Sequence, residues 1–312
     1  MMSRHIRATS ALAALLAALV ASGCGGGGDV AAPPAASPAL SVSDASYAPG
    51  SAQRLAYDQL NAARLRCGFG LLSQSPRLDQ AAAAHASYMN LNSEFGHGET
   101  AGKPGFTGAT PLDRALAAGY APRAVGEDLS TGGSFTGSTA ADSVRNLMAA
   151  PYHAQSLLTG FSEVGFAWNT VASLDTLTVE LGVPAPAQLL PPQGVSTFPC
   201  AGTTDATARG GNESPSPFPS DPNAEWGQPI IVAGPESLRI SSATITGPAG
   251  PVRLLVTYGA GATPDPNGSF TDGWFSVIPE VLQAATTYSV SIDYTVRGAP
   301  GSTRFSFATG PR

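Results

Sequence analysis

Histidine is scarce in this chain of 312 residues, with four in all. His5 lies in a leader that export would remove, which leaves His85, His97 and His153. Imidazole changes charge near neutral pH and ligates metals, so a few histidines confined to one stretch mark where chemistry is to be sought. Acids accompany them. Glu99 follows His97 by two residues, and Glu127 stands in Gly126-Glu127-Asp128. Two imidazoles and one or two carboxylates suit Zn²⁺ or another first-row divalent ion, with one coordination position left open for water or a ligand. Other chemistries find no such pattern. There is no HExxH and no Gly-x-Ser-x-Gly, and neither Cys67 nor Cys200 is near a histidine in sequence.

These side chains need elements to position them. Pro76 and the alanine run 81–84 predict a helix that runs into a loop over 78–99. Leu78, Ala82, His85 and Met89 share one face of it. His85 is thus expected to be a core histidine, hydrogen-bonded to a backbone group. His97 falls beyond the helix, in a polar turn after Gly96. Further helices are expected over 53–65, 112–118 and 142–148. The last is broken by Pro151 ahead of Tyr152-His153. Residues 164–168 and 177–181 alternate as two strands. Helices and loops followed by strands predict an α+β domain.

Only 12% of the chain is charged and 43% is hydrophobic, with 36 Gly and 27 Pro. That composition favours loops and strands over long charged helices. Net charge is −6, and no basic cluster follows the leader, which excludes nucleic acid as the expected partner. Residues 1–23 read as a lipoprotein signal peptide. Arg4, His5 and Arg7 precede an apolar run too short to span a bilayer. Val20-Ala21-Ser22-Gly23-Cys24 resembles a bacterial lipobox, which implies lipidation of Cys24; the alternative is an ordinary secretory signal. Residues 24–48 form a flexible Gly/Ala/Pro/Ser linker. Gly25 after the cysteine points to an outer-membrane anchor, and a secreted form is the other option. Export means an oxidising compartment, so the two remaining cysteines, Cys67 and Cys200, are expected to pair.

Five motifs occur in one order: Leu60-Asn61-Ala62-Ala63-Arg64, Phe95-Gly96-His97, Gly126-Glu127-Asp128, Pro151-Tyr152-His153-Ala154, and Phe161-Ser162-Glu163-Val164-Gly165. Together, over residues 49–202, they resemble the bacterial branch of the CAP superfamily (cysteine-rich secretory proteins, antigen 5 and pathogenesis-related 1). The resemblance implies an α-β-α sandwich with an open cavity lined by histidines and acids, able to hold a divalent metal such as zinc. The matching positions are His97, Glu127 and His153. Glu99 is placed to reach the same cavity, with Asp113 a weaker second acid. Asp128 stands where the family has Asn, Ala154 where it has Arg, and Gly160 where eukaryotic members have a histidine. The alternative for this set is a hydrogen-bonded network that shapes the cavity.

Residues 203–226, rich in Gly, Ser, Pro and Asn, read as a linker. Short alternating runs at 238–245, 252–258, 274–278, 288–294 and 304–307 predict an all-β sandwich over 227–312. Thr286-Thr287-Tyr288 and Phe305-Ser306-Phe307-Ala308-Thr309 resemble bacterial Ig-like domains, which implies a spacer or adhesion role. The leading functional reading is a non-enzymatic module. It would bind a small ligand, a lipid or a cell-envelope component, with membrane attachment through the lipid anchor. The alternatives are a metal-assisted hydrolase of peptide or envelope material, using Glu127 or Glu99 as base, and adhesion through the Ig-like part. Cys24→Ser is expected to move the protein from the membrane to the soluble fraction; retention of the variant in membranes would overturn the anchor.

Overall fold

Side-chain caps set most helix starts. Ser51 Oγ accepts from Arg54 N and opens α1 (Ala52–Arg66). In the computed structural model, which describes residues 37–131, 139–171, 174–221 and 223–311, β1 (Ser73–Gln74) and α2 (Pro76–Asn92) follow. Cys24 and its leader lie outside the described residues. Thr110–Asp113 and Thr139–Asp142 form reciprocal capping boxes on α3 (Pro111–Ala117) and α4 (Ala140–Met148), with β2 (Pro122–Thr131) between them. Pro151 does not end a helix, as the sequence reading has it. It occupies the first turn of α5 (Pro151–Leu158), where a missing N–H costs nothing and the fixed φ suits the helix. Then come β3 (Glu163–Val171) and β4 (Leu174–Pro184). No helix among the described residues is long and apolar enough to cross a membrane.

The first sheet has the order β1-β3-β4-β2, so β2 is an edge strand. Leu177, Val179, Leu181 and Val183 of β4 turn to one side and join Leu60, Val144 and Leu157 from α1, α4 and α5 in one core. The alternate residues Thr176, Thr178 and Glu180 are also fully buried, on the side of α2. The alanines of α2 let it lie close to the sheet. At Gly165 a Cβ would stand 2.2 Å from the α2 backbone, so any side chain there would push the helix away.

Beyond β4 the strands are β5 (Ser196–Phe198), β6 (Gly210–Gly211), β7 (Glu225–Trp226), β8 (Ile230–Ala233), β9 (Leu238–Gly247), β10 (Gly250–Pro251), β11 (Leu254–Gly259), β12 (Trp274–Pro279), β13 (Thr287–Val296) and β14 (Ala299–Ala308). They build two four-stranded sheets, β10-β9-β13-β14 and β11-β12-β8-β5. Ile230, Val232, Phe275 and Val277 face Ile245, Val290, Ile292 and Phe307 across a shared core. The second sheet is buried on its other side too. Ile231 and Ile278 belong to the core that contains Leu60 and Leu157.

Two features depart from the expected layout. β5, placed by sequence in the first domain, pairs with β8 and completes the second sheet. Residues 203–226, read as a linker, are packed: Thr203, Ala206, Ala208 and Glu213 are buried, and β6 pairs with β7. The glycines and prolines there make tight turns and need not signal a free tether.

Cys67, the C-cap of α1, is disulfide-bonded to Cys200, two residues after β5. The bridge spans 133 residues, and a loop of that length removes about 5 kcal/mol of chain entropy from the unfolded state. Cys67→Ala/Cys200→Ala is therefore expected to lose several kcal/mol of unfolding free energy in urea; a loss below about 1 kcal/mol would contradict this.

Candidate functional site

The site starts from α2 and the loop after it. Ser93, with φ 51°, ends α2 in the left-handed conformation, and the chain turns back at Gly96, whose φ of 149° suits glycine. That turn aims the Gly96 carbonyl at His85, which is fully buried and donates to it from Nε2 at 2.9 Å. His85 is thus a core histidine with a backbone partner. Its Nδ1 meets Glu99 Oε1 at 3.0 Å. Glu99 does not reach the cavity. Its other oxygen accepts from the backbone N–H of Thr107 (2.6 Å) and Gly108 (3.2 Å), which holds the Gly-rich loop against the core. Asp113 is spent on the α3 capping box.

Arg114 is the hub. Its guanidinium is fully buried under α3, where it donates to the His97 carbonyl at 3.0 Å and to Glu127 Oε2 at 2.5 Å. Glu127 Oε1 accepts from His97 Nδ1 at 2.8 Å. Directly opposite Glu127 in the β2–β4 register stands Glu180, fully buried. Burial and the nearby Glu127 charge push the Glu180 carboxyl well above the ordinary range, so it stays neutral; among the described residues neither of its oxygens has a hydrogen-bond partner. Burial alone would raise Glu127 as well. The hydrogen bond from His97, the neighbouring neutral Glu180 carboxyl and the charges of His85 and Arg114 outweigh it and hold Glu127 at about 2.

Asp128 points to the other side of β2. It is 1% exposed and accepts from Ser156 Oγ of α5 at 2.8 Å. Burial lifts it to about 6 against the opposing pull of His153, the Ser156 hydroxyl and His97. His153, on the first turn of α5, gives its Nδ1–H to Glu213 Oε1 at 2.9 Å. Burial lowers the imidazole's affinity for a proton, but the Glu213 hydrogen bond and the Asp128 and Glu213 charges raise it above the ordinary value.

Because β2 is the sheet edge, residues from both faces reach one cavity of about 950 Å³ beside it. His97 comes from the α2 side and His153 from α5, with Ser130 and Thr131 of β2 between them. Arg209, Gly210 and Asn212 of the 203–226 segment form the far wall. Among the described residues neither Nε2 of His97 nor Nε2 of His153 has a hydrogen-bond partner. The sequence-derived set is therefore brought together in part. His97 contacts Glu127, and His97 and His153 line one cavity, while Glu99 turns inward to His85. Sequence reasoning missed Arg114, Glu180 and Glu213. A lone acid amid the apolar alternation of 177–181 is a readable signal for Glu180; Glu213 carries none.

Asp128 has a stability consequence. Its folded value, about 6, lies above the unfolded value near 4. Below about pH 4 it is protonated in both states and costs nothing; as pH rises through about 6 a buried charge must be carried and stability is lost. Asp128→Asn keeps an acceptor for Ser156. It is expected to match wild type below about pH 4 and to exceed it by 1–3 kcal/mol above about pH 7, in urea unfolding across pH. A gain independent of pH would exclude this cause.

Residues 57–181 match the Cysteine-rich secretory protein family, CAP. No curated protein matches the chain. A solved extracellular protein containing a SCP domain, from Bacillus anthracis str. Ames, is similar at 19% identity, with 45% of each chain covered and a TM-score of 0.36. The shared region is thus less than half of that protein. The Gly126-Glu127 motif and His153 both lie inside the stretch, residues 57–181, that matches the CAP family, and the edge-strand cavity is lined partly by it and partly by residues 207–225.

Proposed function

We propose that this chain is a non-enzymatic binding module of the cell envelope, with its ligand held in the cavity beside β2. The observation that carries the reading is the pair of imidazoles. His97 and His153 each donate Nδ1–H to a buried carboxylate, Glu127 and Glu213, and each keeps Nε2 for the cavity. Such backing fixes a ring's orientation and makes its free nitrogen a better acceptor or ligand. A hydrolytic reading is weaker on chemical grounds. Glu127, held at about 2, is a poor general base, and Glu99 is buried with its oxygens bonded to His85 and the 107–108 backbone. Both Cys67 and Cys200 are in the disulfide.

A divalent ion fits only in part. Both Glu127 oxygens are engaged by His97 and Arg114, and among the described residues no three His, Cys, Asp or Glu side chains group as a metal cage. Two Nε2 atoms are fewer than the three or four protein donors of a zinc centre, so His97 and His153 would hold an ion whose remaining positions came from the ligand or water. Bound there, it would supply a Lewis-acidic anchor for a ligand oxygen. On this reading the chain is tethered through Cys24, its ligand is a small envelope component or lipid, and the C-terminal sheets, Ig-like in strand pattern, support the site.

Native mass spectrometry of protein purified from the envelope fraction is expected to show a bound mass that is lost on unfolding and absent from His97→Ala/His153→Ala. Adduct-free wild-type protein, or an adduct unchanged in the double variant, would overturn the binding reading. For the ion, calorimetric Zn²⁺ titration of the exported chain should give weaker binding at about pH 5.5 than at about pH 7.5, because ligation needs neutral imidazole. His97→Ala and His153→Ala should each weaken it by about tenfold or more. Unchanged titrations would remove the metal.

A further inference from the structure

Helix α5 begins without a cap of its own. Ala150 at the N-cap has no side-chain acceptor, so the N–H groups of Tyr152 and His153 need one from elsewhere. Glu213 provides it, from a segment outside the CAP match. Its Oε1 accepts from Tyr152 N at 2.7 Å, from His153 N at 3.0 Å and from His153 Nδ1 at 2.9 Å. A single carboxylate oxygen therefore caps the helix and grips the imidazole. The Glu213 side chain is fully buried, and among the described residues its Oε2 has no partner. A buried, half-satisfied carboxylate is costly. The partial positive charge of the α5 N-terminus and the His153 N–H offset that cost.

Other groups from the same half fasten the corner that carries His153. Trp226 Nε1 donates to the Ala149 carbonyl at 2.9 Å, and Gln228 Nε2 to the Met148 carbonyl at 2.7 Å. Tyr152 Oη donates to Asp265 at 2.5 Å and accepts from Asn267 at 2.8 Å. Every one of these partners lies beyond residue 181, where the CAP match ends.

We propose that Glu213 is the positioning residue of His153: it selects the tautomer with the proton on Nδ1 and turns the bare Nε2 to the cavity, so the binding site is complete only with the 203–226 segment docked. This rests on the reading of the cavity as a binding site, but its test needs no ligand. A neutral imidazole donating from Nδ1 to a carboxylate keeps its lone pair on Nε2. In the full exported chain with ¹⁵N-labelled histidine, long-range ¹H–¹⁵N spectra at about pH 8.5, above the ordinary histidine range, read each ring's tautomer. Wild type is expected to show His153 with Nδ1–H. Glu213→Ala should move His153 mainly to the Nε2–H form, leave the His97 tautomer unchanged and abolish the bound mass.

Glu213→Gln is isosteric and keeps an acceptor for the Tyr152 and His153 N–H groups, so it tests the proposal if the alanine variant fails to fold. Its amide can also donate to Nδ1, so it should end the exclusive Nδ1–H form in a folded protein. Wild-type His153 found as Nε2–H, or a tautomer unchanged in the folded variants, would overturn the positioning role. If the tautomer shifts as stated and wild type carries no bound mass, only the binding reading fails.

Discussion

A buried guanidinium cannot shed its proton cheaply and must be met by acceptors, and Arg114 imposes that requirement on everything around it. It draws in the His97 carbonyl, which sets where the post-α2 loop crosses, and one Glu127 oxygen, which fixes that carboxylate's orientation on β2. With one oxygen committed, Glu127 offers the other to His97. Glu180, facing it across the strands, is left without a cation of its own; Arg114 Nε stands 3.9 Å away. It settles as a neutral acid. Facing strands thus carry one ionised carboxyl, Glu127, and one neutral one, Glu180.

The second imidazole depends on a different part of the chain. His153 is anchored by Glu213, and its helix corner by Trp226, Gln228 and Asp265. The two histidines therefore reach one cavity from separate supports, one inside the stretch that matches the CAP family and one supplied after it. This is a physical reason for the β11-β12-β8-β5 sheet to share a core with the helices α1 and α5. A module hung on a free tether could not supply these contacts to the start of α5.

Much of this was legible in the residues. The α1, α2, α3 and α4 helices follow from propensity and apolar spacing, and β3, β4 and the main strands from β9 onward from alternation. The Cys67–Cys200 bridge follows from the two thiols that remain once Cys24 is assigned to the leader region. Other elements were hidden for identifiable reasons. β2 does not stand out as a strand in the sequence because Glu127 and Asp128 interrupt its apolar alternation, and their burial depends on partners far away in sequence. α5 was obscured by Pro151, which reads equally as a stop and as a first-turn residue. Glu99 and His97 are two residues apart, and spacing alone does not say which turns inward; Thr107 and Gly108 decide it. Glu213 lies in a polar, Gly- and Pro-rich stretch where one acid looks like any other.

β5 has a role that its three residues conceal. β8 is apolar along its whole length, with all four residues buried, and in its sheet it lies next to the last strand. Without β5 its backbone donors and acceptors would form an open, hydrophobic edge, the feature through which sheets recruit other chains. Ser196–Phe198 covers that edge, and Cys200 ties the cover to α1. The bridge is thereby a guard against intermolecular strand pairing as well as a constraint on the unfolded chain. Reduction would free the covering strand and turn a loss of stability into a route to aggregation.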